Sequence, residues 1–119
     1  MRQAFAHQAE VTMRPDADVN AVGAAITMEL CGHWEHDPPC PVAPLYTSAD
    51  RQGDVVQIRT LFASDAEMEQ QVRSRIDTAL AAGSLPAQEP SQDTWQLHGS
   101  HADALTPAEM DHAARLLNN

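Results

Sequence analysis

The stretch from Ser64 to Gly83 constrains the fold more than any other part of this chain. Ser64-Asp-Ala-Glu67 has the spacing of a capping box, in which the hydroxyl and the carboxylate each take one orphan amide of a first helical turn. Met68, Val72, Ile76 and Leu80 then recur at four-residue intervals and share one side of a helix. Gly83 supplies a residue able to adopt the left-handed conformation that ends helices. A helix with one apolar stripe must lay that stripe on a partner, so the rest of the chain is expected to supply a covering layer.

Alternating apolar and polar residues mark that layer as a sheet. Residues 9–14 alternate and stop at Pro15; residues 15–20 read as a turn. From Gly23 to Cys31 the alternation returns, with Ile26, Met28 and Leu30 on one face and Thr27, Glu29 and Cys31 on the other. Asp50–Asp54 turns the chain into a third strand over 55–62, with Val56, Ile58 and Phe62 inward. Residues 84–92 are a Pro/Ser/Gln linker, and Thr94–His98 is a short fourth strand. Thr106-Pro-Ala-Glu109 opens a closing helix with Pro at its first position, whose inner stripe is Met110, Ala113, Ala114 and Leu117. The expected order is βββαβα: an α+β fold whose open-faced, mostly antiparallel sheet is covered on one face by two helices. At 119 residues this is a single domain spanning 1–119, with a Pro-rich Cys/His loop at 31–50.

Charge narrows the class of partner. Seventeen acidic residues face seven basic ones, all Arg, for a net charge of −10. Nucleic-acid binding rests on clustered Lys and Arg that neutralise phosphates, and no such cluster occurs. An anionic membrane surface is disfavoured for the same reason. A metal ion, a cationic small molecule or a basic protein patch remains compatible. No apolar run has the length of a signal peptide core or a membrane span, so a soluble, cytoplasmic protein is expected.

The chemistry is concentrated in Cys31-Gly-His-Trp-Glu-His-Asp-Pro-Pro-Cys40. Cys31, His33, His36 and Cys40 are four donors in ten residues, and mixed thiolate and imidazole sets suit tetrahedral Zn²⁺. Ligand type alone also admits copper or iron. Structural zinc sites usually draw two ligand pairs from separated places, so three of these donors plus water or a more distant residue is an alternative. His7, His98, His101 and His112 are reserve imidazoles, and Glu35 and Asp37 carboxylate options. Against the metal stand a Cys31–Cys40 disulfide, which a reducing compartment disfavours, and a buried Cys with two exposed His of no special role. Pro38, Pro39, Pro41 and Pro44 stiffen the loop, and Trp34 either anchors it on the sheet or belongs to a contact surface. A thiolate nucleophile is less well supported, because Cys40 lies among prolines and not at a helix N-terminus. The sequence therefore points to a small metal-binding accessory or protein-interaction module with Zn²⁺ as its ion. A small metalloenzyme with an open coordination position, and a metal-free subunit that self-associates, are the alternatives.

Overall fold

The computed structural model describes residues 2–31, 45–84 and 94–117. Strand β1 (Arg2–Met13) leads into helix α1 (Asn20–Cys31). Strands β2 (Leu45–Gln52) and β3 (Val55–Asp65) form a hairpin, and a 3₁₀ turn carries the chain into helix α2 (Glu69–Ala82). Strand β4 (Trp95–Asp103) and helix α3 (Met110–Leu117) complete the chain. The four strands make one open antiparallel sheet in the order β2-β3-β1-β4. In it β1-α1-β2 and β3-α2-β4 interleave, each leaving a gap that a strand of the other fills. This is the split β-α-β arrangement.

The α+β class and the open antiparallel sheet agree with the sequence expectation, whereas the element order is βαββαβα. Residues 20–31 form a helix, not a strand. Their alternation is real, but Val22, Ile26 and Leu30 also recur every four residues, and with Ala21 and Ala25 they are buried as one helical side. Alanine-rich sequence favours that outcome. The Asp18 carboxylate accepts the amide of Asn20 (2.9 Å) at the helix start. Residues 45–52, expected to belong to the loop and the turn after it, are the edge strand β2, paired from Leu45↔Phe62 to Gln52↔Val55. The β1 strand begins at residue 2 because β3 pairs with it along nearly its whole length, from Arg2↔Asp65 to Thr12↔Val55.

The main core lies between the sheet and the α1/α2 layer. Val11, Met13, Val56, Ile58 and Phe62 meet Val22, Ile26, Leu30, Val72, Ile76 and Leu80 there. Gly23 lets α1 approach β2 closely, since a Cβ at this position would sit 3.2 Å from the Thr47 methyl. The α2 stripe holds as expected, except that Met68 is part of the exposed entry turn. Ser64 is no cap: β3 runs on to Asp65, and the Ser64 hydroxyl donates to the Asp65 carbonyl (3.1 Å). Gly83 does end the helix, with φ 76°, and its carbonyl accepts the amide of Trp95. The indole of Trp95 donates back to the Leu80 carbonyl (2.8 Å), fastening β4 to the end of α2.

The third helix lies on the other face of the sheet, so the helices are not confined to one side. A small second core joins Leu116 to Ala6, Leu61 and Ala63, with Leu105 alongside. The capping box of Thr106 and Glu109 forms as expected. The inner stripe differs: Ala113 and Leu116 are buried, while Met110 is 53% exposed and Leu117 37%. Ala113 and Leu116, three residues apart, share one helical side.

Candidate functional site

Of the four expected metal donors, Cys31 is the last residue of α1 and not the end of a strand. His33, His36 and Cys40, together with Trp34, Glu35 and Asp37, lie outside the described residues. The reserve histidines are dispersed. His7 is buried in β1 on the face covered by α1 and α2. His112 of α3 stacks on Tyr46 with ring centroids 3.9 Å apart. His98 and His101 lie on β4. Among the described residues, no three His, Cys, Asp or Glu side chains converge in a way that would hold a metal ion.

His98 and His101 do share a surface. Because α3 covers only the Ala6/Leu61 end of its face, the remainder of that face is open, and a groove of about 340 Å³ runs along it. Gln8, Glu10, Gln57, His98, Gly99 and His101 line it. An oriented series of side-chain hydrogen bonds spans its floor. Arg59 Nη1 donates to Gln8 Oε1 (3.2 Å), Gln8 Nε2 to Gln57 Oε1 (2.9 Å), and Gln57 Nε2 to Glu10 Oε1 (2.8 Å). The direction is fixed at both ends, since a guanidinium only donates and a carboxylate only accepts. At the rim, Thr12 Oγ1 contacts His98 Nε2.

The cationic end of this series is structural. Arg59 Nε and Nη2 grip both oxygens of Glu109 (2.8 and 2.9 Å), Nη1 also reaches Asp103 (2.5 Å), and Nη2 reaches the Ala104 carbonyl (2.6 Å). The Arg59 hydrogen bonds hold the Glu109 carboxyl well below its usual range, at about 2. The same guanidinium lowers the Asp103 carboxyl. Arg59 thus pins α3 to the sheet, and the opposite end of the series leaves Glu10 facing the groove.

A second cluster, centred on buried His7 and Arg73, lies on the other face, and no sequence motif announces it because its members come from β1, α2 and β4. His7 Nε2 donates to Asp77 Oδ1 (3.0 Å), and Ser100 Oγ donates to the same oxygen (2.5 Å). Arg73 Nη1 donates to His7 Nδ1 (3.0 Å) and to the Ala6 carbonyl (2.7 Å), while its Nε donates to Glu69 (2.7 Å). Its guanidinium carbon lies 5.7 Å from the Phe5 ring centroid and 5.3 Å from that of Phe62, within cation–π range. Ser, His and Asp are all present, but the connectivity is not that of a nucleophilic triad. Such a triad needs the imidazole between hydroxyl and carboxylate as the base. Here the carboxylate accepts from both, and neither ring nitrogen of His7 is free to take a proton from Ser100.

No protein-family model matches the chain. No curated protein sequence matches it either. Among solved structures, it is similar to the crystal structure of an aminobenzoyl-glutamate utilization protein from Klebsiella pneumoniae, at 10% identity and a TM-score of 0.35. The similarity covers 93% of this chain and 32% of that one, so the chain spans about a third of the length of the protein it matches.

Proposed function

We propose that this chain is a small metal-binding accessory module that holds one Zn²⁺ through Cys31, His33, His36 and Cys40. The observation that carries the reading is the set of four thiolate and imidazole donors within ten residues, the first of them in the last described turn of α1. The described part of helix α1 runs to Cys31, with no basic side chain in its last turn. The unpaired carbonyls of a helix C-terminus bear partial negative charge, which favours a bound cation. Four thiolate and imidazole donors within ten residues match a bound ion better than nucleophilic catalysis, and binding is the preferred reading over a metalloenzyme. Zinc suits the mixed sulfur and nitrogen donors better than oxygen-seeking Mg²⁺ or Ca²⁺. A reducing cytoplasmic setting fits, since it keeps both thiols available as ligands.

The groove supplies the partner half of the proposal. Glu10 ends a hydrogen-bond series whose cationic end is already engaged by Glu109 and Asp103. With a net charge of −10 around it, the open sheet face suits a basic protein segment and repels nucleic acid. No described helix is long and apolar enough to cross a membrane.

Metal analysis of protein purified without a His-tag tests the site. About one Zn²⁺ per chain is expected, with affinity falling as pH drops through the histidine range, because donors bind only when deprotonated. Cys40→Ser is expected to release the ion. Native protein with no bound metal and no thermal shift on adding Zn²⁺, Cu⁺ or Fe²⁺ would end the metal reading. The partner half is tested by titrating an Arg/Lys-rich peptide while following the Gln8 and Gln57 side-chain amides by NMR. Salt-sensitive shifts are expected there, and their loss in Glu10→Gln.

A further inference from the structure

We propose that His7 is an acid-responsive latch that holds the middle of α2 against β1 while its ring is neutral and loosens it when the ring is protonated. The case rests on which atoms can carry hydrogen. A guanidinium has no acceptor, so the Arg73 Nη1 contact requires a lone pair on His7 Nδ1. The proton of the neutral ring then sits on Nε2, where Asp77 Oδ1 accepts it. His7 is 4% exposed, and its ring is the joint between Arg73 and Asp77, which lie four residues apart on α2.

Protonation adds a hydrogen at Nδ1, which then points at the N–H of Arg73. The contact becomes donor against donor and cation against cation, in a site with little water to screen either. Arg73 keeps the Ala6 carbonyl and Glu69, but it must swing away from the ring. The charged groups around the ring divide in their effect. From α2, Asp77 favours the imidazolium and Arg73 opposes it, while Glu69 is committed to Arg73. From β4, His101 opposes a charge on His7, and Ser100 contributes only a hydrogen bond to Asp77. On this face β3 presents Val56, Ile58, Thr60 and Phe62, none of which titrates. Burial is the largest influence and pushes the ring below the usual imidazole value of 6.5, against the pull of Asp77. Asp77 is half exposed, which gives protons a route to the site.

The sign follows. A ring whose affinity for protons is lowered by folding stabilises the fold above its unfolded value of 6.5, and that contribution is lost as the pH falls below it. Long-range ¹H–¹⁵N NMR of the intact chain reads the ring directly. At pH 7 the Nε2–H tautomer is expected, and the His7 titration midpoint should fall below the usual imidazole value of 6.5. Hydrogen exchange of the α2 amides, corrected for its intrinsic pH dependence, should accelerate several-fold as His7 titrates. In His7→Asn, where the amide oxygen replaces Nδ1 as acceptor, that acceleration should disappear. An Nδ1–H tautomer at pH 7, a midpoint at or above 6.5, or α2 protection that does not change across the His7 titration would each overturn the proposal. The first two readouts use only the wild-type chain, so they stand even where the variant does not fold.

Discussion

Replacing Glu109 separates two roles that one carboxylate combines. Its oxygens accept from Arg59 Nε and Nη2, and Oε1 also accepts the amide of Thr106 (2.9 Å), which closes the capping box of α3. The ordinary carboxyl value of 4.5 falls to about 2 in the fold. At about 1.4 kcal/mol per tenfold change in proton affinity, that difference corresponds to about 3 kcal/mol in favour of the ionised form. The side chain is a fifth open to water, and solvent screening brings the net contribution to about 2 kcal/mol. Glu109→Gln keeps an oxygen for the Thr106 amide and removes the charge, so it should cost about 2 kcal/mol at pH 7. Glu109→Ala removes the cap as well and should cost about 1 kcal/mol more. Urea unfolding at pH 7 measures both, as a fall in midpoint without a change in slope. Because folding lowers this carboxyl's pKa, its contribution is present above pH 4.5 and lost as the pH falls toward 2. The wild type should therefore lose more stability across that window than Glu109→Gln. A Gln variant within about 0.5 kcal/mol of the wild type at pH 7, or one with an equal loss in acid, would refute the assignment of Arg59–Glu109 as the pin of α3.

Leu116→Ala should cost about 2–3 kcal/mol in the same assay, because Leu116 is buried against Ala6, Leu61 and Ala63. Met110→Ala, at a half-exposed position on the same helix, should change stability by less than about 0.5 kcal/mol; the reverse ranking would restore the stripe expected from sequence. Gly83→Ala should lower the thermal midpoint, at a cost of about 1–2 kcal/mol. Its φ of 76° is strained for alanine, and the added Cβ would lie 3.1 Å from the Trp95 carbonyl.

Local chemistry settled part of this protein. The stripe of Val72, Ile76 and Leu80 with Gly83 behind it, the β3 strand with Val56, Ile58 and Phe62 inward, and the Thr106–Glu109 cap all follow from contacts within a few residues. Such features are written in spacing alone, and they suffice for an α+β class with an open sheet. What spacing left undecided is what each segment packs against. Residues 20–31 satisfy both the period of a strand and that of a helix. Burial of Val22, Ile26 and Leu30 against α2 and the sheet chose the helix. Residues 45–52 carry no apolar stripe of their own, and only pairing with β3 makes them a strand. The polar side-chain arrangements were beyond sequence for the same reason. Gln8, Gln57 and Glu10 become a directed series, and His7 meets Arg73 and Asp77, because β1 runs between β3 and β4 in the sheet. Hydrogen bonds spanning 47 to 70 residues leave no periodic trace in the chain. The Cys31–Cys40 segment, proposed above as a metal site, is the converse case: the proximity of its Cys and His residues is visible in the sequence, and Cys31 lies in the last described turn of α1.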